Sequence, residues 1–147
     1  MAGRVTDIHI AREKSAPVES VSSAAAVAGA GLRGDRHFLP DDDKPDLTLI
    51  DADAFAAAGD DLGVELEPGE HRRNVTVSGI DLDSLIGTEF TIGEVRCQGL
   101  ADCPPCAHLE NLTARDGLQV AMTDRGGLEV RILTDGTIRV GDTVEPL

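Results

Sequence analysis

The chain has 147 residues, the length of one ordinary domain, and a domain of this size buries about 70% of the surface that its unfolded chain exposes. Thirteen basic residues stand against 27 acidic ones, which gives a net charge of −14. This balance argues against a general nucleic-acid-binding protein and a peripheral membrane protein, because both need a basic face. No apolar run approaches the ~20 residues of a membrane-spanning helix. We therefore expect a single domain over residues 1–147 that binds neither nucleic acid nor membrane.

Cysteine usage and the start of the sequence bear on the cellular compartment. The three cysteines are confined to residues 97–106, which does not resemble a secreted disulfide framework. The first residues carry no apolar signal region. We expect a cytoplasmic protein with reduced thiols.

The first half of the sequence predicts strands and one short helix. Residues 22–30 are rich in alanine and predict a short helix or a loop. Residues 51–58 begin with carboxylates and continue with good helix formers, so they predict a helix that Gly59 ends. Three other segments have strand-like patterns: residues 4–11, 15–21 and 47–50.

The second half is predicted to be strand-rich. Residues 80–86 predict a turn, residues 94–97 lead into a cysteine-containing loop, and residues 109–115 predict a short helix. Strand-like patterns recur at residues 74–78, 89–93, 128–134, 137–140 and 142–145. Short strands with Gly/Asp turns favour a mixed barrel or sandwich over alternating βαβ units. The predicted fold class is therefore mainly β, with one to three short helices.

The segment Cys103-Pro-Pro-Cys106 is the strongest candidate for chemistry. A thiol acts as a nucleophile or a metal ligand only as the thiolate, which an open, electropositive environment favours. Pro104 and Pro105 stiffen the approach to Cys106, and His108 follows two residues later. We predict Cys106 to be the reactive thiol, whereas Cys97 lies in a strand-like pattern typical of a buried cysteine.

Two other interpretations of this segment remain open. Cys103 and Cys106 form a Cys-x-x-Cys pair, as in dithiol redox enzymes, although the βαβ pattern that accompanies those enzymes is missing. Alternatively, Cys97, Cys103, Cys106 and His108 are four potential zinc ligands, at a spacing unlike the paired ligands of structural zinc sites.

Positive charge is concentrated in two short segments of this acidic chain. Residues 31–38 contain two glycines together with Arg33, Arg36 and His37, and residues 71–74 contain Arg72 and Arg73. Guanidinium groups and the close backbone approach that glycine permits are suited to binding phosphate. The alternative is that these arginines form surface ion pairs with the abundant carboxylates.

The order of several motifs resembles the MOSC domain, the C-terminal domain of molybdenum-cofactor sulfurase, which also occurs as small stand-alone bacterial proteins. The similar segments run in one consistent order from about Val5 to Val144. They include residues 31–37, 68–82, 85–93, 103–109, 125–130 and 136–142. No pyridoxal-phosphate-binding region precedes them, so the chain looks like a stand-alone member.

The resemblance implies a β-rich barrel and a role in the sulfur and metal chemistry of the molybdenum cofactor, a molybdopterin. In the family a Pro-Cys pair carries the thiol that holds sulfane sulfur or contacts the metal, and Pro105-Cys106 matches this pair. Cys106 is thus a candidate catalytic residue and molybdenum ligand, assisted by His108. A cysteine desulfurase would be the sulfur donor and a molybdenum enzyme the acceptor.

The cofactor phosphate needs a binding site, for which the basic segments are the candidates. Asn74 matches a family position and is a candidate polar anchor or a strand-start cap. The candidate cofactor-binding residues are therefore Arg33, Asp35, Arg36, His37, Arg72, Arg73 and Asn74. The choice of individual arginines follows from charge rather than from the family motif.

Overall fold

The computed structural model describes residues 2–13, 16–40, 44–67, 69–103 and 117–147. Within these ranges, strands dominate and the helices are short, which confirms the mainly-β prediction. The strands are β1 (Gly3–Ile10), β2 (Glu19–Val21), β3 (Ser23–Val27), β4 (Gly31–Leu32), β5 (Leu47–Asp51), β6 (Val75–Ser78), β7 (Glu89–Ile92), β8 (Val95–Asp102), β9 (Leu128–Ile132), β10 (Gly136–Arg139) and β11 (Thr143–Pro146). The helices are α1 (Ala52–Leu62) and α2 (Leu118–Ala121), with a 3₁₀ turn at Leu82–Leu85.

Seven strands form a closed barrel in the order β11-β7-β8-β9-β5-β6-β1. The ring closes where β1 pairs with β11, at Gly3 opposite Val144. All pairs in the ring are antiparallel except β5–β6, which α1 connects as a crossover helix. β2 pairs with the far end of β1, and β3, β4 and β10 form a separate three-stranded sheet.

The barrel interior is filled by aliphatic side chains, because the barrel strands alternate inward and outward residues. Phe90 is the one buried aromatic residue among the described members of this core, and Cys97 is packed with it. A second cluster lies under α1, where Phe55 and Ala58 contact Leu118 and Met122.

The alanine-rich segment differs from its prediction, because residues 23–27 form strand β3 rather than a helix or loop. Ala24 and Ala26 are buried and alternate with more exposed neighbours. β3 pairs through its first four residues with β10 and through its last two with β4. Sheet pairing and burial of small side chains therefore override the helix propensity of alanine.

Helix α1 begins as predicted, at the N-cap Asp51, whose carboxylate accepts a hydrogen bond from the Asp53 amide. Its predicted end at Gly59 is wrong. Gly63, with φ of 70°, ends the helix, and Gly59 lies inside it. A Cβ at Gly59 would lie 2.8 Å from the carbonyl oxygen of Val64, so this glycine serves close packing instead.

Strand β8 extends to Asp102, so the cysteine-containing loop begins later than predicted. The predicted turn at residues 80–86 contains the 3₁₀ turn. The predicted helix at residues 109–115 lies outside the described residues. Among the described residues, the helices are all too short or too polar to cross a membrane.

Candidate functional site

The two basic segments of the sequence line one cavity of about 350 Å³ at the side of the barrel. This basic cavity lies between the end of β1, the turn after β4 and the residues that precede β5 and β6. Its basic side chains are Arg36, His37, Lys44, Arg72 and Arg73. Asp35, Asp46 and Glu129 are the acidic residues that line it.

Asp35 fixes the turn that carries Arg36 and His37. Its Oδ1 atom accepts a hydrogen bond from the Ala11 amide at 3.0 Å, and its Oδ2 atom accepts one from the His37 amide at 3.4 Å. The Arg36 amide in turn donates to the carbonyl oxygen of Ala11 at 2.6 Å. Although Asp35 is buried, these hydrogen bonds and the nearby His37 ring lower the pKa of its carboxyl group. Asp35 therefore anchors the loop to β1.

His71 organises the second basic segment from within the protein. Its Nδ1 atom accepts a hydrogen bond from the Arg73 amide at 2.8 Å, so the ring proton lies on Nε2, which is 3.1 Å from Thr76 Oγ1. The Phe55 ring packs against it edge-to-face at 4.7 Å. Burial, with the charges of His9 and Arg73, lowers the pKa of His71 to about 3. His71 is therefore a neutral structural residue.

Among the described residues, Arg72 is a cavity side chain with unused hydrogen-bonding capacity. Its Nε and Nη2 atoms are buried and have no hydrogen-bond partner among the described residues. Its backbone has a φ of 59°, a conformation that is unfavourable for a residue with a Cβ. Burial and the nearby Arg36 lower the pKa of Arg72, while Asp35 opposes this shift. The unpaired donors of Arg72, with the Arg36 guanidinium group nearby, are suited to binding an anion.

Arg73 contacts backbone carbonyl groups. Its Nε atom donates to the carbonyl oxygen of Gly126 at 2.7 Å, and its Nη2 atom donates to that of Cys103 at 3.2 Å. The Cys103 amide also donates to the carbonyl oxygen of Gly127 at 2.9 Å. These bonds fix the point where the chain leaves β8 and enters residues 104–116.

Asn74 is buried and joins three segments. Its Oδ1 atom accepts hydrogen bonds from the amide and hydroxyl of Thr48 at 3.1 and 3.3 Å. Its Nδ2 atom donates to the carbonyl oxygen of His9 at 3.3 Å. Within the described residues, Asn74 thus holds β1, β5 and β6 together at the cavity wall.

Arg33 is the predicted cofactor-binding residue that lies outside the basic cavity. Its guanidinium group lies 5.2 Å from the centre of the Phe38 ring, and Arg33 does not line the basic cavity. The seven predicted cofactor-binding residues therefore include six that line the cavity.

The cysteines differ in their surroundings. Cys97 is fully buried in the barrel core, and burial, with a smaller effect of Asp46, raises its pKa to about 12. Cys103 is half-buried and lines the basic cavity. Cys106 and His108 lie outside the described residues. Among the described residues, no cluster of three metal-ligating side chains occurs.

Cys103 also lines a second cavity, of about 390 Å³. The carboxylates around this acidic cavity are those of Asp51, Asp81, Asp83, Asp102 and Asp124. Two of them, Asp51 and Asp81, accept hydrogen bonds as N-caps of α1 and the 3₁₀ turn. Cys103 thus stands between regions of opposite charge.

Several cavity residues were not predicted from the sequence: His9, Lys44, Asp46 and Thr48. His9 and Thr48 lie in segments with strand patterns. Such a pattern indicates which residues share a face of the sheet, but not which of them line a cavity. Lys44 could have been identified as a candidate, because it is one of only two lysines and directly follows a run of aspartates.

The fold and the cavity define a small β-barrel protein with a partly buried basic cavity. The chain belongs to the MOSC domain family, whose family model matches residues 34–145. No curated protein matches the sequence significantly. Among solved structures, it is similar to the YuaD protein from Bacillus subtilis, with a TM-score of 0.86 at 18% identity, covering 99% of this chain and 96% of that one.

Two further structures have the same fold. YiiM from Geobacillus stearothermophilus has a TM-score of 0.79 at 18% identity, covering 99% of this chain and 75% of that one. YiiM from Escherichia coli has a TM-score of 0.73 at 15% identity, covering 98% and 69%. At these identities the likeness establishes the fold alone.

Proposed function

We propose that this MOSC protein binds a phosphorylated molybdopterin-type cofactor in the basic cavity and uses Cys106 for sulfur or metal chemistry beside it. The observation that carries the proposal is the convergence of residues 35–37 and 72–74 on one cavity, at which the chain enters the Pro-Cys motif through Cys103. The family membership supports the cofactor class, and the cavity supports its anionic group.

The donors present fit a phosphate. Arg72 has two buried nitrogen atoms without partners, and Arg36 is close enough to depress its pKa. A dianionic phosphate would relieve this repulsion and satisfy the unused donors. Arg36 and Arg72 are therefore the proposed phosphate ligands. When bound, the cofactor would supply a molybdenum centre with sulfur ligands.

The other cavity residues have supporting functions in this proposal. Asp35 and Asn74 hold the walls together through hydrogen bonds to the backbone. Arg73 fixes the start of the cysteine-containing loop. Two residues, Pro104 and Pro105, separate Cys103 from Cys106, and an extended chain spans at most ~3.6 Å per residue. The tether is thus short enough for the Cys106 thiol to act at this cavity.

Sulfur transfer would use Cys106 as the carrier. Its thiolate attacks the outer sulfur of a persulfide on a cysteine desulfurase, the S–S bond of the donor breaks, and the donor thiolate leaves. A thiolate of a molybdenum-enzyme acceptor then attacks the outer sulfur of the Cys106 persulfide, the S–S bond breaks, the Cys106 thiolate leaves, and the acceptor carries the persulfide. His108 and the nearby arginines would stabilise the negative charge on sulfur.

Mass spectrometry after incubation with a cysteine desulfurase and cysteine tests the carrier function. We expect a mass increase of one sulfur atom that is lost in Cys106→Ser and kept in the matched control Cys97→Ser. Loss of two hydrogen atoms, with both Cys103 and Cys106 required, would instead indicate the dithiol redox protein. Molybdenum content of the purified protein and calorimetry with a pterin phosphate test the cofactor site. Absence of both binding and the adduct would refute the proposal.

A further inference from the structure

Among the described residues, three buried side-chain nitrogen atoms lack a hydrogen-bond partner, and all three belong to residues that line the basic cavity. Two are the Arg72 atoms considered above. The third is Nδ1 of His9, a residue of β1 that is 3% exposed. Buried polar atoms in folded proteins almost always have partners, so an unpaired atom in a residue that lines a cavity is a candidate contact for a ligand or a water molecule.

The His9 ring is held firmly in place. The His9 amide donates to the carbonyl oxygen of Asn74 at 2.6 Å, and the Asn74 side chain donates back to the His9 carbonyl oxygen. A Cβ at Gly69 would lie 2.9 Å from Cδ2 of the ring, so this edge packs against a glycine that must lack a side chain. The His71 ring contacts it edge-to-face at 5.7 Å. The ring therefore cannot turn easily to find a partner for Nδ1 within the protein.

The chemistry of the ring leaves Nδ1 able to serve either as donor or as acceptor. The Nε2 atom lies 3.5 Å from the hydroxyl oxygen of Ser20, and a hydroxyl can donate or accept. Burial lowers the pKa of His9, although the Asp7 carboxylate opposes the shift, and neighbouring His71 is neutral. His9 is thus a neutral imidazole whose tautomer a ligand can select.

We infer that His9 contacts the ligand of the basic cavity through Nδ1 and recognises a neutral hydrogen-bonding group, separate from the anion that Arg72 binds. The cavity then takes a molecule with an oxyanion and a second, uncharged polar edge, such as a phosphorylated heterocycle. This inference rests on the proposed ligand site, but it does not depend on the ligand being a molybdenum cofactor.

Nitrogen-15 NMR of the histidine rings tests the inference directly, because the chain has only four histidines. The probes are inorganic phosphate, a pterin phosphate and a nucleoside monophosphate. We expect inorganic phosphate to leave the His9 ring nitrogens nearly unchanged. A phosphorylated heterocycle that binds should shift the Nδ1 resonance and fix one tautomer. If binding of every heterocycle leaves that resonance unchanged, or none binds, the inference is wrong.

Substitution adds a second measurement. His9→Leu should weaken binding of the phosphorylated heterocycle about 3- to 10-fold, the effect of one neutral hydrogen bond, and change phosphate binding less than about 2-fold. His9→Asn, which keeps a polar group near Nδ1, should recover part of the loss. Arg139→Ala is the control, because this exposed arginine pairs with Glu94 outside the cavity. Equal weakening of both probes by His9→Leu would instead indicate a purely structural residue.

The outcomes separate this inference from the proposed function. If the pterin phosphate binds without affecting His9, the cofactor proposal survives and the His9 inference fails. If only the nucleoside monophosphate binds and shifts Nδ1, the His9 inference survives and the cofactor proposal fails.

Discussion

The guanidinium group of Arg73 donates a hydrogen bond to the carbonyl oxygen of Cys103, which links the basic segment before β6 to the end of β8. The same side chain bonds to Gly126, so it joins three segments that are distant in sequence. A residue predicted as a phosphate ligand thus holds the start of the cysteine-containing loop. This relationship couples the position of Cys103 to the wall of the cavity.

Arg73→Ala is expected to lower the free energy of unfolding by about 1.5–3 kcal/mol, because carbonyl groups that a charged donor satisfied lose their partner. Urea unfolding measures this effect. Arg73→Lys should recover only part of the loss, since an ammonium group cannot reproduce the guanidinium geometry. An Arg73→Ala variant with unchanged stability but no phosphate binding would show that Arg73 is primarily a ligand.

Arg72→Gly is expected to separate stability from binding. Glycine adopts a φ of 59° without strain, so the variant should be as stable as the native protein or up to about 1 kcal/mol more stable. It should lose most phosphate binding, because the unpaired donors are removed. Thermal melts and calorimetry test the two effects. A clear loss of stability with intact binding would contradict the prediction.

Arg36→Ala is expected to weaken binding of a pterin phosphate by about 1.5–3 kcal/mol without unfolding the protein. Arg33→Ala is the matched control, since Arg33 lies over Phe38 and does not line the cavity. Calorimetry at fixed ionic strength compares them. Equal losses in both variants would mean that general charge, rather than the cavity, determines affinity.

Acid should destabilise the fold through His71. The pKa of His71 is about 3 in the folded protein against 6.5 in the unfolded chain, so the unfolded state binds more protons between these values. The free energy of unfolding should therefore fall by up to about 1.4 kcal/mol per pH unit as the pH decreases from about 6.5 towards 3. Above pH 7 this contribution is constant.

The His71→Gln variant tests the assignment. Its amide can still contact Thr76, but it cannot take up a proton, so the pH dependence in this window should flatten even though stability at pH 7 decreases. Urea unfolding from pH 4 to 8 gives both curves. Parallel curves for the two proteins would assign the acid sensitivity to other groups.

Cys97 should be the least reactive thiol, because it is buried and its pKa is raised to about 12. Cys106 should react fastest. Thiol-reagent kinetics on single Cys→Ser variants measure the order. Cys97→Ser should also cost about 1–3 kcal/mol of stability, since a hydroxyl group would be buried in an apolar core. Fastest modification at Cys97 would contradict the prediction.

The strands were largely predictable because most of them alternate, whereas β3 was not. Alanine carries little information about burial, and only pairing with β10 reveals that Ala24 and Ala26 face inward. The end of α1 was misjudged for a related reason. A glycine near a helix end can be the C-cap residue or a position where another segment packs closely against the helix. Gly59 is of the second kind, because the Val64 carbonyl oxygen packs against it, and the sequence alone does not show this.

The basic residues that line the cavity were largely predictable from the sequence. Clustered arginines in an acidic chain indicated two basic segments, and the fold brings both to one cavity. The different contacts of Arg72 and Arg73 were not predictable, because the two residues are adjacent and chemically identical. In the folded chain Arg72 has a φ of 59° and unpaired donors, whereas Arg73, whose amide bonds to His71, donates to Gly126.

Closure of the barrel through Gly3 and Val144 has a consequence for biosynthesis. β1 leaves the ribosome first, but one of its partners, β11, is translated after all the other strands of the ring. The seven-stranded ring therefore cannot close before β11 has been translated, and the contacts that complete it have the longest sequence separation among the described strand pairings. We expect folding to be completed only after synthesis of β11, and the part of the β1 edge that β11 covers stays unpaired until then.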